Sequence, residues 1–197
     1  PNSLETFGEE PFKNNVGTDE NHTVICYTDN IDHLKFGDSS SHKIQYTGII
    51  IDENTPWDSG DFTYSEDETT ITGLSDIGKM KIKLNTAMVI PSEGPNGTTI
   101  TAIGNGVNGV GTLGFKDENG TVYQAKSVVL PAQLKSIGNM AFSGAVITEI
   151  TLPETLESIG NAAFSNSKLT SIVLPNSLTS LGSGAFSNSA SLASVVL

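Results

Sequence analysis

Residues 152–174 read LPETLESIGNAAFSNSKLTSIVL, and the same pattern lies on both sides of them. Counted from its proline, one copy is PAQLKSIGNMAFSGAVITEITL from Pro131. The next is PETLESIGNAAFSNSKLTSIVL from Pro153, and the third is PNSLTSLGSGAFSNSASLASVVL from Pro175. The prolines stand 22 residues apart, and the third copy carries one extra residue before Leu192. Matching positions are chemically uniform: Leu134, Leu156 and Leu178; Ile137, Ile159 and Leu181; Gly138, Gly160 and Gly182; then the pairs Ala141-Phe142, Ala163-Phe164 and Ala185-Phe186. Further along come Ile147, Leu169 and Leu192; Ile150, Ile172 and Val195; and Leu152, Leu174 and Leu197. A fixed period of this length is the mark of a repeat architecture.

Each shared position has a physical reading. Ile150 alternates with Leu152, and Ile172 with Leu174, so each copy is expected to hold a short strand with one face inward. The proline after it ends the strand, since it has no N–H for the ladder. The shared glycine reads as a tight turn with positive φ. Alanine lets neighbouring coils approach, and phenylalanine fills the space between them. One coil of this size cannot bury its own apolar side, but stacked coils bury each other's. The expected fold is therefore a β-rich repeat solenoid with a small non-repeat β-containing segment.

Outward from the three copies the pattern decays. A degenerate coil precedes them, with Ile90-Pro91, Ile100, Ile103-Gly104, Phe115 at the phenylalanine position, and Val128 and Leu130 in the strand. It is lengthened by a loop around Gly104–Gly114 and a turn at Asp117–Gly120. Residues 1–12, PNSLETFGEEPF, start like Pro175–Leu178 and match part of a coil. The division expected is 1–43, a partial coil with a polar extension and a strand at Thr23–Tyr27; 44–87, a non-repeat segment; and 88–197, the repeats. Within 44–87, Ile44–Ile51 reads as a strand, and Phe62–Tyr64 with Thr70–Leu74 as a hairpin. Ser75–Leu84 reads as a helix capped by Ser75, with a strand as the alternative given the Lys-X-Lys alternation at Lys79–Lys83.

Charge narrows the function. The formal net charge is −12, all ten basic residues are lysine, and charged residues are only 16 % of the chain. Nucleic-acid recognition needs clustered Arg and Lys, and an anionic membrane surface needs a polybasic patch, so neither is an expected partner. Residues 121–197 balance three lysines against three glutamates, which places the whole acidic excess in residues 1–120. The lone cysteine, Cys26 between Ile25 and Tyr27, reads as a small buried hydrophobe and permits no intrachain disulfide. No signal peptide, apolar run of membrane length or lipidation motif occurs, and the chain reads as part of a longer protein.

These repeats resemble the BspA-like leucine-rich repeat family, whose unit reads roughly L-P-x-x-L-x-x-I-G-x-x-A-F-x-x-x-x-L-x-x-I-x-L. The clear match covers residues 128–197, and residues 88–127 and 1–12 match in part. Pro11 in place of alanine and the loop in the 88–130 coil depart from the unit. The segment ITGLSDIGKMKIKLNTAMVIP resembles the lead-in before such repeats. The resemblance implies a curved solenoid with a β-lined face, on proteins exported to the surface of anaerobic bacteria, where relatives adhere to host matrix proteins or other cells. It brings no catalytic residues and no asparagine ladder of the kind found in the commoner leucine-rich repeats.

Other motifs lose to plainer readings. Gly104–Gly109 fits G-x-G-x-x-G, but Gly104 is already the repeat glycine and no helix is expected after it. Leu152–Leu156 resembles a sortase signal without its glycine. Asp52, Glu53, Asp58, Asp61, Glu66, Asp67 and Glu68 read as a solvated acidic surface, with calcium binding the open alternative. His22, His33 and His42 are scattered, and Gly73–Ile77 misses the nucleophile-elbow pattern at its last position. The chain reads as a non-enzyme without cofactor or metal. It is expected to act as a cell-surface adhesion or protein-binding module, extracellular, with a protein ligand such as host matrix or another surface protein. The alternatives are a carbohydrate- or cell-wall-binding module, with Trp57 and Tyr64 as stacking rings, or a passive spacer. Strand alternation sends two rows outward: Ser127, Glu149, Ser171 and Ser194; and Val129, Thr151, Val173 and Val196. These eight residues are the candidate binding face.

Overall fold

The computed structural model describes residues 55–197 apart from Asn85 and Asn108. From Pro56 to Leu197 they belong to one compact unit. The coil expected over residues 1–12, the strands at Thr23–Tyr27 and Ile44–Ile51, Cys26 and the three histidines lie outside the described residues.

A hairpin opens the unit, β1 (Phe62–Tyr64) and β2 (Thr70–Leu74), antiparallel as the alternation predicts. Helix α1 (Asp76–Leu84) follows, capped by Ser75, whose Oγ accepts the N–H of Gly78 at 3.1 Å. A Ser there satisfies one of the helix's unpaired first-turn donors. Next come β3 (Ala87–Val89), β4 (Ala102–Ile103), a second hairpin of β5 (Gly114–Lys116) and β6 (Val122–Gln124), and β7 (Ser127–Val129). The repeats then contribute β8 (Ser136–Ile137), β9 (Ser158–Ile159), β10 (Ser171–Val173), β11 (Ser180–Leu181) and β12 (Ser194–Val196).

The main sheet runs in the order β1-β2-β4-β8-β9-β11, parallel from β2 onward. Its strands in the three repeats are the two residues just before the repeat glycine. Their register places Ile71, Ile103, Ile137, Ile159 and Leu181 in one column. The four isoleucines are buried and Leu181, in the last repeat, is exposed. Amide N–H groups of Gly104, Gly138, Gly160 and Gly182 donate to the carbonyls of Ile71, Ile103, Ile137 and Ile159 at 2.7–2.8 Å. Successive repeats are thus bonded one to the next.

A second column is aromatic. The rings of Phe142 and Phe164 lie 5.1 Å apart and 2° from parallel, and those of Phe164 and Phe186 5.6 Å apart and 12° from parallel. Leu134 with Leu156, and Ile147 with Leu169, fill the rest of the interior. The Ala-Phe landmarks stack as their spacing predicts.

Two expectations about the repeat are corrected. Gly138, Gly160 and Gly182 do not have positive φ. They are required by contact: a Cβ on Gly160 would lie 2.5 Å from the amide nitrogen of Asn139, and one on Gly182 2.3 Å from that of Asn161. The left-handed residues come two positions later, at Met140 (φ 54°), Ala162 (φ 52°) and Gly184 (φ 62°). Only Gly184 takes that conformation without steric cost, because an L side chain there crowds its own backbone. Replacing Ala162 by glycine is expected to stabilise the unit by roughly 0.5–1 kcal/mol, relief of backbone strain exceeding glycine's entropic cost. A rise in the denaturation midpoint checks it, and a fall would refute the strain argument.

Phe115 is not the phenylalanine of its coil. The amide of Phe142 donates to Ala163, and that of Phe164 to Ala185; in the earlier coil the donor to Ala141 is Thr112. Gly106 likewise donates to Asn139 as Met140 does to Asn161. Residues 107–110 are therefore an insertion, and Thr112 stands at the head of the column with its Oγ1 bonded to the Gly104 carbonyl. A small apolar cavity of about 20 Å3, lined by Leu113, Ala125 and Phe142 among others, lies in the same part of the core. Phe115 instead stacks on Tyr123 at 5.0 Å, with Lys83 Nζ 5.6 Å and 5.3 Å from the two ring centres.

An asparagine ladder is present, although the resemblance implied none. Asn105 Oδ1 accepts the N–H of Asn139, Asn139 Oδ1 that of Asn161, and Asn161 Oδ1 that of Ser183, at 2.7–2.8 Å. It occupies the position directly after the repeat glycine. The last member is Ser183, and no further N–H in the described residues asks for its side chain.

Candidate functional site

Alternation along the short strands decides which side chains leave the core. In β7, Val128 points in while Ser127 and Val129 are exposed; in β10, Ile172 points in while Ser171 and Val173 are exposed. Glu149 and Thr151 are exposed on either side of buried Ile150. All eight predicted residues are therefore on the surface. In β12 the inward position, Val195, is exposed too; among the described residues β12 pairs with β10 alone.

The structure does not join the eight into one ladder. β10 pairs with β12, which sets Ser171 beside Ser194 and Val173 beside Val196. β7 pairs with β3, which sets Val129 beside Val89. Residues 149–151 lie between these two pairs and form no strand. Sequence reasoning missed Val89. Its signal was available in the alternation Ala87-Met88-Val89, where Met88 is wholly buried. Val89, Val129, Val173 and Val196 are 48 %, 58 %, 62 % and 50 % exposed.

The chemistry of this face is methyl groups, hydroxyls and one carboxylate. Paired parallel strands stand about 4.8 Å apart, so the two valines within each pair can touch the same apolar surface. Such a face offers area and no reactive group. The proposed stacking rings of a sugar site are committed elsewhere. Trp57 is buried against Phe62 at 5.6 Å, and the Tyr64 hydroxyl donates to the Ser59 carbonyl at 2.8 Å.

The remaining motifs are absorbed by the fold. Glycines 104 and 106 follow β4 and give their amides to Ile71 and Asn139, and no helix follows. In the sortase-like stretch, Thr155 Oγ1 donates to the carbonyls of Ala132 and Leu134. Of the acidic residues, Asp52 and Glu53 lie outside the described residues; Asp61 is buried on Lys81, Asp67 is held by Ser65 and Thr69, and Glu68 accepts from Asn96. Hydrogen bonds from Ser65 and Thr69 hold the Asp67 carboxyl below its usual pKa. Among the described residues no group of three His, Cys, Asp or Glu side chains converges, and no helix is long and apolar enough to cross a membrane.

Residues 120–197 match the family model described as "BspA type Leucine rich repeat region (6 copies)". Over those residues the repeats are of the BspA type. The parallel sheet continues beyond the matched residues, through β4 to β2. The chain is also similar to solved bacterial leucine-rich repeat proteins. The leucine-rich repeat protein TpLRR of T. pallidum is 27 % identical with a TM-score of 0.48, over 72 % of this chain and 70 % of that one. A leucine-rich repeat protein from Bacteroides ovatus is 24 % identical, TM-score 0.44, over 73 % of this chain and 41 % of that one. The pneumococcal vaccine antigen PcpA is 23 % identical, TM-score 0.49, over 70 % and 38 %. No curated protein sequence matches the chain.

Proposed function

We propose that the BspA-type repeats form a solenoid that serves as a protein-binding module in adhesion, outside the cell, and not as an enzyme. The observation that carries this reading is the row Val89, Val129, Val173 and Val196, each about half exposed on a strand. Exposed apolar surface that recurs with the repeat is a contact surface more readily than an accident of folding. Thr151 and Glu149 lie between the two valine pairs and complete the face with Ser127, Ser171 and Ser194. The partner is a protein ligand such as host matrix or another cell-surface protein. In the same reading residues 1–43 and 44–87 precede the repeats of 88–197 as a partial coil and a non-repeat lead-in.

The test is a double substitution, Thr151→Glu with Val173→Glu, assayed on a panel of immobilised extracellular-matrix proteins. Both sites are exposed, so stability should move by no more than about 0.5 kcal/mol each. Loss of retention by tenfold or more on whichever matrix protein holds the parent chain is expected, since buried charge at an interface is strongly unfavourable. Retention unchanged in the folded double variant removes this face from consideration. A parent chain that binds none of the panel, in a form shown to be folded, favours the spacer reading.

A further inference from the structure

Helix α1 presses on the single 3-10 turn Ser59–Asp61 closely enough that a Cβ on Gly78 would lie 2.0 Å from the Asp61 carbonyl oxygen. Between the two, Lys81 Nζ sits 2.6 Å from Asp61 Oδ2, with the side chains 3 % and 1 % exposed. Oδ2 also accepts the N–H of Asp58 at 2.8 Å. Nζ also donates to the Pro56 carbonyl at 2.8 Å and lies 3.5 Å from Asp58 Oδ2. Asp61 Oδ1 is buried and has no partner. A buried ion pair is favourable only when its remaining lone pairs are satisfied, and here one is not.

We propose that Lys81 and Asp61 condense into an intramolecular amide, an isopeptide bond between helix α1 and the turn that precedes β1. Burial raises the Asp61 carboxyl above its usual pKa, which favours its protonated form, and the 2.6 Å contact lets the ammonium proton pass to Oδ2 as the reaction begins. The Nζ lone pair attacks Asp61 Cγ and the C–N bond forms. Asp58, whose Oδ2 lies 3.5 Å from Nζ, takes a proton from the nitrogen as the bond forms, and the oxygen that leaves Cγ recovers it. In the tetrahedral adduct the proton on Oδ2 moves to Oδ1, the Cγ–Oδ1 bond breaks and Oδ1 leaves as water with Oδ2 remaining as the amide oxygen, so no oxidant or cofactor is consumed. The buried pair is held at contact distance before reaction, the condition under which an intramolecular step gains most.

The product fits the surroundings better than the ion pair does. Oδ2, now the amide oxygen, keeps the Asp58 N–H. The amide N–H keeps the Pro56 carbonyl. The acceptor without a partner is the atom that departs. The two side chains, 3 % and 1 % exposed, are already out of bulk water where the bond would form.

The experiment is intact mass spectrometry of the full chain, freshly purified and after prolonged incubation at neutral pH, with circular dichroism to show that it is folded. The expected mass is one water below that of the sequence, and proteolysis should release a joined pair of peptides containing Asp61 and Lys81. Water lost elsewhere in the chain would not join two peptides. Lys81→Arg, which keeps the charge, should stay at its full mass. Asp58→Ala should slow the mass change by roughly tenfold or more, the scale of a general acid–base contribution. A folded chain that keeps its full sequence mass throughout overturns the proposal, and an unchanged rate in Asp58→Ala overturns the role given to that carboxylate.

Discussion

Replacing Phe164 by alanine will destabilise the protein by about 3–5 kcal/mol, a fall in Tm on the order of 10 °C. The residue is wholly buried and is the one ring of the column with a stacked neighbour on both faces, at 5.1 and 5.6 Å. Its removal opens a cavity in the middle of the repeats that neither Phe142 nor Phe186 can close without leaving its own repeat. Phe186→Ala is the control. That ring is only partly buried and stacks on one side, so its loss should cost about half as much. Thermal melts of the two variants decide the matter. Equal losses would mean that the stack contributes nothing beyond each ring's own burial.

Gly160→Ala is the second large effect. The added methyl would come within 2.5 Å of Asn139 N, 2.6 Å of Gly138 C and 2.8 Å of Asn139 Oδ1. Two of those three atoms are backbone of the preceding repeat, so relief requires the repeats to move apart. Separation stretches the bond from Gly160 N–H to the Ile137 carbonyl and the Asn139–Asn161 link together. We expect a loss of about 3 kcal/mol or more, at the upper end for overpacking. Gly184→Ala supplies the contrast. It has the positive φ that Gly160 lacks, but its nearest neighbour is the Ser187 hydroxyl at 3.3 Å. There the penalty is conformational only, about 1 kcal/mol. Chemical denaturation of both separates the two roles of glycine; the reverse order would restore the turn reading for Gly160.

That pair also marks where the sequence was readable. The period of 22 residues places Phe142, Phe164 and Phe186 in equivalent positions, and equivalence under stacking leaves a column as the only outcome. Glycine is ambiguous, because one letter serves both a left-handed turn and a close approach. The spacing fixes where it recurs and says nothing about which of the two it does. The main sheet was missed for a related reason. Its repeat strands are two residues long, Ser136–Ile137, Ser158–Ile159 and Ser180–Leu181, too short to show an alternation. Only the hydrogen bonds between repeats reveal them. Where a strand is three residues long, as in Ser171–Val173, its inward and outward sides were legible.

The candidate face was legible residue by residue and not as a surface. Exposure at Ser127, Val129, Glu149, Thr151, Ser171, Val173, Ser194 and Val196 follows from alternation alone. Which of them are neighbours depends on pairing, and the unpaired stretch at 149–151 divides the row in two. Phe115 was misplaced because an alignment by residue type pairs phenylalanine with phenylalanine, whereas the backbone gives its place to Thr112.

The insertion at 107–110 has a further bearing on how such a protein can vary. The amides of Gly106 and Thr112, on either side of it, bond to the next repeat as if nothing intervened. Extra chain is therefore accommodated sideways, as a bulge in the wall, without altering the vertical pitch of the stack. The β5–β6 hairpin begins shortly after it, at Gly114, and uses the same liberty. This flank of the molecule can thus acquire new loops, and with them new chemistry, while the valine-bearing strands stay as they are.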